Sequence, residues 1–247
     1  MNRFLCIRMT LDHVLYISYA VPAIKLRELV PEPLQLATLG KDIAFISIVI
    51  LRSTRVRLKI LPLIQFNYNQ LNIRTYVIDP ISGQQAVYFL RSGVTSSVIS
   101  FMTRMSGIPW QLVNLNIEAN PYQETASYLA RGHWYGDYYL SCQLFGEDTK
   151  KILLFENRKK AVDFLIRPLI GFIGDNRRLG RFNIQHLEVE PETWQLTELD
   201  FPLFSDLGVV DEPNKPHSVF FLPTADFSIY LPPKKIRQTG GSSDVGN

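Results

Sequence analysis

Short segments with a β-strand pattern follow one another along most of this chain, and few segments have helical spacing. A chain with so few helices lacks the crossovers that parallel strands require, so the pattern predicts an antiparallel barrel or sandwich. Closure into a barrel would also remove the exposed edges that so many strands create. The predicted strands cover residues 13–19, 43–51, 71–78, 86–90, 113–117, 138–145, 151–155, 182–189, 193–199 and 218–231, with 138–145 and 151–155 forming a hairpin.

Three segments have the spacing of an amphipathic helix: residues 22–29, 94–105 and 159–166. The first begins with a proline, which suits a first helical turn, and the second ends before Gly107, the residue type that helix C-termini prefer. The segment Asp-Pro-Ile-Ser-Gly at residues 79–83 has Pro and Gly in turn positions and joins two strands. The sequence thus predicts a mainly β chain with a few helices (α+β).

The length and composition indicate one folded domain. At 247 residues, with 46% hydrophobic and 20% charged residues, the chain is long enough to bury a substantial core. No internal repeat or linker interrupts it. Residues 1–233 are therefore predicted to form a single domain, and residues 234–247 a disordered tail.

Charge, hydropathy and cysteine content exclude several classes of protein. The net charge of +3 is too small to indicate nucleic-acid binding. No apolar run approaches the roughly 20 residues of a membrane-spanning helix, and charged residues interrupt the first apolar residues, so we expect no signal peptide. Cys6 and Cys142 lie far apart without the spacing of a metal or redox motif. We expect two buried, inert thiols in a cytoplasmic protein that contacts no membrane.

No nucleotide-binding, phosphate-loop or hydrolase motif occurs in the sequence. His186, Glu188 and Glu190 share one face of a predicted strand and have the side-chain types of a metal site. No cysteine or further histidine has a spacing that would complete such a site. The favoured interpretation is a strand that leaves the core, with no metal and no cofactor.

Two basic clusters are candidates for anion binding. Arg177 and Arg178 lie between turn residues in Gly-Asp-Asn-Arg-Arg-Leu-Gly, for which a solvated hairpin tip is the favoured interpretation. Arg55, Arg57 and Lys59 alternate and share one face of an extended segment. They form either an anion-facing stripe or, as the commoner case, a charged and solvent-facing edge strand.

Several motifs occur in a characteristic order along the chain. Leu-Asn-Ile-Arg-Thr-Tyr-Val at residues 71–77 precedes Ser-Gly-Ile-Pro-Trp at residues 106–110. Arg-Arg-Leu-Gly-Arg-Phe-Asn-Ile-Gln-His at residues 177–186 precedes Ile-Tyr-Leu-Pro-Pro at residues 229–233. In this order they resemble the uncharacterised YqjF-like family, which is placed in the acetoacetate decarboxylase-like superfamily. The resemblance covers residues 13–233 and implies a β-barrel or cone with an internal cavity.

The same resemblance concerns the turn after the second helix. Acetoacetate decarboxylases have a Gly-x-Pro-Lys-Lys segment whose lysine pair supplies the amine of a Schiff base. In this chain Gly107 and Pro109 match that frame, while Trp110 and Gln111 stand at the lysine positions. Because tryptophan cannot form an imine, the resemblance implies that the Schiff-base route to decarboxylation is absent.

Arg74 is the candidate anchor for a ligand. Alternation places Asn72, Arg74 and Tyr76 on one face of a strand, which would face the lumen if the other face meets an outer layer. A buried guanidinium needs an acid, which is either a protein carboxylate or the carboxylate of a ligand. In the second case the apolar end of the ligand would lie against Trp110, and Gln111 would donate a hydrogen bond.

These residues leave three functions open. The favoured one is a protein that binds a small, partly apolar, anionic molecule in a barrel cavity. The second is an enzyme, a lyase or hydrolase, that uses His186 with a carboxylate. The third is a non-catalytic oligomeric scaffold in which Trp110 belongs to the core. The oligomeric state stays open, including a homo-oligomer.

Overall fold

The computed structural model describes residues 5–58, 61–123, 126–144 and 154–236, and strands dominate it. Helices α1 (Ala23–Arg27), α2 (Ser97–Met105), α3 (Arg158–Leu165) and α4 (Pro202–Leu207) lie between strands. In chain order the strands are β1 (Leu5–Pro22), β2 (Gln35–Leu36), β3 (Ile43–Leu58), β4 (Leu61–Ile78), β5 (Gln85–Val94), β6 (Gln111–Leu112), β7 (Asn114–Asn120), β8 (Ser127–His133), β9 (Asp137–Leu144), β10 (Ile170–Gly174), β11 (Leu179–His186), β12 (Glu192–Asp200) and β13 (Ser218–Lys235).

Strands β1, β3, β4, β5, β10, β11 and β13 are hydrogen-bonded in that order, and β13 also pairs with β1. This last pairing closes the strands into a ring, and it extends from Leu5 opposite Leu231 to Ser18 opposite Ser218. Neighbouring ring strands are antiparallel except β5 and β10, which pair in parallel. The ring is therefore mainly antiparallel, as predicted, with one parallel pair that makes the sheet mixed. The prediction of a mainly β chain with a few helices is confirmed.

A second sheet, made of β12, β9, β8 and β7 in antiparallel pairs, continues from the ring. The joint is a short pairing of β12 with β13, in which Glu192 lies opposite Phe221 and Thr193 opposite Phe220. One face of the ring strands packs against this second sheet and forms a shared apolar core. Its members include Leu15, Ile48, Ile73, Leu140 and Trp194.

The opposite face of the ring strands forms a separate apolar cluster. It combines Tyr16 of β1, Phe45 of β3, Tyr76 of β4 and Phe220 of β13 with Leu165 of α3. The cluster lies on the face opposite the second sheet, and α3 packs against it. We call this α3-covered face the interior face of the ring, and the cluster on it the interior cluster. The alternation of side chains along each strand therefore decides which of them meet the interior.

Most of the predicted elements are present with changed ends. Residues 13–19 and 43–51 lie inside the longer strands β1 and β3. Helix α2 begins at Ser97 rather than at residue 94, because the Ser96 side chain accepts a hydrogen bond from the N–H of Ile99 and caps the helix. The three residues before that cap belong to the end of β5 and to the bend that follows it.

The predicted hairpin of residues 138–145 and 151–155 is wrong in its pairing. Strand β9 pairs with β8 and β12 instead. Leu154 and Phe155 lie in a turn, and residues 145–153 lie outside the described part of the chain. Alternation marks a strand but does not specify its partner, so proximity in sequence was misleading here.

The predictions about the C-terminal tail and about the burial of both cysteine thiols need correction. Strand β13 continues to Lys235, which lies opposite Gly180, so the predicted tail does not begin at residue 234. Residues 237–247 lie outside the described part. Cys142 is buried, and burial raises the pKa of its thiol to about 12, whereas Cys6 is only half-buried. None of the described helices is long and apolar enough to cross a membrane.

Candidate functional site

Strand β4 has a row of buried polar side chains on its interior face. Gln70, Asn72, Arg74 and Tyr76 are each at most 8% exposed. The apolar residues between them, such as Ile73, belong to the core under the second sheet. Arg74 thus shares the α3-covered face with Asn72 and Tyr76, as the alternation predicts, and its role as a ligand anchor stays a prediction. Gln70 was missed, although it follows the same alternation as the other three.

Arg74 reaches from β4 to α3. Its Nη2 donates a hydrogen bond of 2.6 Å to the carbonyl oxygen of Leu165. Its guanidinium carbon lies 5.2 Å from the ring centroid of Tyr16 and 5.6 Å from that of Tyr76. Its Nε is buried without a hydrogen-bond partner among the described residues, and none of their carboxylates forms an ion pair with it.

The C-terminal end of α3 compensates part of the positive charge of Arg74. Leu165 is the last residue of α3, so its carbonyl has no partner inside the helix, and the helix dipole places about half an elementary charge there. The same oxygen accepts a hydrogen bond of 2.8 Å from the Tyr76 hydroxyl. That hydroxyl is 2.7 Å from Ser47 Oγ, which is 2.7 Å from Ser18 Oγ. A partial charge compensates a buried guanidinium incompletely.

The polar groups beside Arg74 are neutral. Burial raises the pKa of the Tyr16 phenol, although the charge of Arg74 opposes that effect. The phenol therefore keeps its proton near neutral pH. Gln70 donates a hydrogen bond of 2.9 Å to Asn72. Ser92 lies opposite Asn72 on β5, and its hydroxyl has no partner among the described residues. The interior face thus has unused hydrogen-bonding capacity as well as an incompletely compensated positive charge.

A Schellman motif ends α2 before the Gly-x-Pro turn. Gly107 has a φ of +78°, a conformation that favours glycine. Its N–H donates to the carbonyl of Arg104 at 3.0 Å, and the N–H of Ile108 donates to that of Thr103 at 2.8 Å. The predicted role of Gly107 at the helix end is confirmed.

The turn sends Trp110 and Gln111 to different surroundings. Trp110 is half-buried and packs against the interior cluster, and its carbonyl accepts a hydrogen bond of 3.1 Å from Ser100. Gln111 is exposed. Its amide donates to the Tyr135 hydroxyl at 2.8 Å and accepts from the Trp134 indole at 2.7 Å. Trp110 therefore contacts the ring interior, whereas Gln111 is outside the buried polar row.

His186 ends β11 and lines a cavity of about 550 Å³. Its Nδ1 lies 2.7 Å from the carbonyl oxygen of Leu187, so Nδ1 bears the proton and Nε2 is the acceptor of the neutral ring. Burial lowers the pKa of His186, and the charges of Arg74 and Arg167 lower it further, against the opposing effect of the Leu187 hydrogen bond. The ring packs 4.6 Å from that of Phe227. No described carboxylate is hydrogen-bonded to it.

Glu188 and Glu190 lie beyond the end of β11 and bind Arg167. Their oxygens are 2.6 and 3.1 Å from its guanidinium nitrogens, and Asp163 is 2.6 Å away on another side. The two glutamates therefore neutralise Arg167 rather than gather around His186. Within the described ranges, no three His, Cys, Asp or Glu side chains are placed to hold a metal ion.

Arg177 and Arg178 lie in the turn between β10 and β11. Both side chains are exposed, and both backbone N–H groups donate to Asp175 at 2.9 Å. The favoured interpretation, a solvated hairpin tip, is confirmed.

Arg55 and Arg57 belong to β3, which pairs with β1 on one side and β4 on the other. The edge-strand interpretation of these arginines is therefore wrong. They line the same cavity as His186. Lys59, the third member of the predicted stripe, lies outside the described residues.

The comparisons with known proteins concern the family and the fold. The profile of DUF2071, described as an uncharacterized conserved protein, matches residues 8–226. No curated protein matches the chain. An acetoacetate decarboxylase-like enzyme from Sphingomonas wittichii RW1 superposes with a TM-score of 0.60 at 11% identity, over 94% of this chain and 93% of its own.

Two further solved structures are similar. Acetoacetate decarboxylase from Legionella pneumophila has a TM-score of 0.56 at 12% identity, over 93% of this chain and 87% of its own. The enduracididine biosynthesis enzyme MppR, with HEPES buffer bound, has a TM-score of 0.59 at 12% identity, over 94% of this chain and 87% of its own. At such identities the likeness shows the fold alone. The chain therefore belongs to the DUF2071 family of uncharacterized conserved proteins and has the acetoacetate decarboxylase-like fold.

Proposed function

We propose that the protein binds a small, partly apolar carboxylate in the interior of the ring, with Arg74 as the anchor. The observation that supports this is the environment of the Arg74 guanidinium. It is buried, and its only hydrogen-bond partner among the described residues is one carbonyl oxygen. A ligand carboxylate would supply the missing charge and would accept two parallel hydrogen bonds from the guanidinium.

The surroundings of Arg74 favour an acid with an apolar part. Phe45 and Phe164 lie close together, 5.5 Å between ring centroids, and Tyr76 is 5.3 Å from Phe164. Trp110 packs against the same cluster. A structure of MppR complexed with pyruvate, with a TM-score of 0.57 at 12% identity, makes pyruvate a reasonable first probe.

We also propose that binding involves no Schiff base. The buried polar and charged side chains of the described residues include Arg74 but no lysine. Trp110, in the Gly-x-Pro frame, has no amine. Borohydride reduction in the presence of acetoacetate should therefore leave the protein mass unchanged. A reduced adduct on a lysine would contradict this proposal.

The enzyme alternative, a lyase or hydrolase that uses His186, has weaker support. The lowered pKa of His186 and its place on a cavity suit a neutral general base. Its Nδ1 partner is, however, the carbonyl of Leu187 rather than a carboxylate. A carboxylate partner would have to come from the substrate.

Thermal unfolding with pyruvate, acetoacetate and benzoate tests the anchor. At a hundredfold excess over Kd, binding stabilises the native state by about 2.7 kcal/mol, which raises Tm by roughly 5–10 °C in a chain of this size. We expect this shift with wild type and at least one acid, and none with the methyl esters of the same acids. The comparison of acid with ester uses wild type only, so it holds even if a variant fails to fold.

Arg74→Met should abolish the shift. Arg91→Met is the matched control, because Arg91 is an exposed arginine of β5 and its loss removes the same charge. The control should respond to acids as wild type does. If no acid stabilises wild type, or if acid and ester act equally, Arg74 serves only to hold the end of α3 and the proposed function is wrong.

A further inference from the structure

The cavity beside His186 is formed by four neighbouring ring strands. It measures about 550 Å³, within the range of sites for small molecules. Strands β3, β1, β13 and β11 contribute its walls. Its lining includes three arginines and one acidic residue: Arg8, Arg55, Arg57 and Asp226. We call it the arginine cavity.

A row of hydrogen-bond donors crosses the four strands. Arg57 lies directly opposite Arg8, Arg8 opposite Ser228, and Ser228 opposite Gln185. Residues directly opposite each other share a face, with Cβ atoms about 4.5–5.5 Å apart. The side chains of Arg8 and Arg57 therefore start from adjacent positions on one face, and those of Ser228 and Gln185 extend the same row.

The acid in the cavity does not neutralise these arginines. Asp226 accepts a hydrogen bond of 2.7 Å from the Thr10 hydroxyl, whose oxygen accepts one of 2.9 Å from Arg55. Neither Arg8 nor Arg57 forms an ion pair within the described residues. Three positive charges and one negative charge leave the cavity with an excess of two. Like charges directly opposite on neighbouring strands are unfavourable unless an anion lies between them.

The backbone of β3 is distorted where it forms this cavity. The pairing of β3 with β1 shifts register between Arg8 and Thr10, so that Arg55 and Val56 oppose a single residue of β1. Arg55 has a φ of +51°, an uncommon conformation for a residue other than glycine. Its N–H donates to the Asn67 side chain at 2.9 Å. Such strain is found where a strand directs a side chain to a site.

We propose that the arginine cavity binds the phosphate group of a small phosphorylated molecule between Arg8 and Arg57. A dianion matches the excess of two charges, and guanidinium groups bind phosphate oxygens in pairs. The cavity is much larger than a phosphate ion, so an organic group must fill the rest. Gln185 and Ser228 offer it hydrogen bonds, and Leu187 offers it an apolar surface. Arg74 is not among the residues that line the cavity, so this site is distinct from the proposed carboxylate site.

Titration of ¹⁵N-labelled protein with glycerol 3-phosphate, at fixed ionic strength, tests the proposal. We expect the largest shifts at the amides of Thr10, His186 and Ser228. Binding should be at least tenfold weaker in the double variant Arg8→Gln/Arg57→Gln. Both residues are exposed, so the fold should be kept, which the Tm verifies.

Arg104→Gln/Arg177→Gln is the matched control. Both of its arginines are exposed, they lie outside the cavity, and the change in net charge is the same. The control should bind as wild type does. Equal weakening in the two double variants, or shifts centred on other residues, would show a nonspecific charge effect and overturn the proposal.

Two further measurements distinguish this proposal from binding to a membrane surface and from the proposed carboxylate site. Vesicles of phosphatidic acid test the membrane source of a phosphate group. If the protein binds them in an Arg8- and Arg57-dependent way but does not bind glycerol 3-phosphate, the small-molecule proposal is wrong. Arg8→Gln/Arg57→Gln should keep the Tm shift with the carboxylic acid that stabilises wild type, so failure at one site is distinguishable from failure at the other.

Discussion

Among single residues, Asp79 holds the turn after β4 together. Its carboxylate is fully buried and accepts hydrogen bonds from the N–H groups of Ile81 and Ser82, from the Ser82 hydroxyl and from Arg181. Burial alone would raise the pKa of Asp79. The hydrogen bonds, that of Arg181 first, outweigh burial and hold the pKa below its ordinary value of 3.8. The predicted turn is confirmed, but its partner on β11 has no signature in the sequence.

We expect Asp79→Asn to lower the free energy of unfolding by about 3 kcal/mol at neutral pH, because Arg181 keeps its charge and loses its buried partner. The folded pKa is depressed, so the stabilisation is complete above the unfolded pKa, near 3.8, and is lost as pH falls through the folded value. Wild type should therefore lose stability below about pH 4 as Asp79 is protonated. Asp79→Asn should not show this part of the acid-induced loss.

Urea unfolding across this pH range measures both effects. Asp211→Asn is the control, because Asp211 pairs with Lys25 at the surface and its side chain is 79% exposed. The control should cost about 0.5 kcal/mol or less. Equal losses in the free energy of unfolding of the two variants would show that the buried Asp79–Arg181 pair stabilises the protein no more than a surface pair does.

At the scale of elements, the β10–β11 hairpin depends on one glycine. Gly174 has a φ of +111°, and a Cβ built there would lie 1.9 Å from the backbone oxygen of Arg178. Its own carbonyl accepts a hydrogen bond of 2.7 Å from the Tyr88 hydroxyl. Since the clash is with backbone, neither rotamer changes nor small shifts relieve it. The hairpin places β11, and with it His186 and Arg181, next to β13.

Gly174→Ala should therefore destabilise the protein by about 3 kcal/mol or more. Gly40→Ala is the matched control, since Gly40 also has a positive φ, +61°, but a Cβ there meets no atom within 4 Å. The control should cost about 1 kcal/mol. Thermal and urea unfolding measure both changes, and a Gly174→Ala cost no larger than the control's would contradict the close approach.

In the whole molecule, Phe221 connects the ring to the second sheet. It is fully buried on β13. Its ring centroid lies 4.5 Å from that of Trp194 on β12 and 6.1 Å from that of Tyr128 on β8. Since few strand pairs join the two sheets, this aromatic contact is a main part of their shared core.

Phe221→Ala should cost about 4 kcal/mol, the sum of lost burial and the cavity left behind. Phe101→Ala, at a residue of α2 that is 66% exposed, should change stability by less than about 0.5 kcal/mol. Far-UV circular dichroism and tryptophan fluorescence should report one coincident transition in wild type. Separate transitions, or a small cost at Phe221, would show that the ring and the second sheet are independent.

Local patterns predicted the strands better than they predicted the sites. Alternation correctly grouped Arg74 with Asn72 and Tyr76 on one face of β4, and Gly107 marked a true helix end. Gln111 was assigned to the ligand site from the same turn, yet it bonds to Trp134 and Tyr135. A turn fixes the backbone, but neighbouring strands decide what each of its side chains meets.

The sequence by itself determined which segments are strands and which residues share a face, because strand alternation and turn chemistry act over a few positions. Only the tertiary structure decided which strands are partners. Closure of the ring brings Thr10 to Asp226, 216 positions away, and places Arg8 opposite Arg57. It also decided that Arg74 meets a helix carbonyl rather than a carboxylate. Pairings over such separations depend on the packing of the whole ring, which no local pattern encodes.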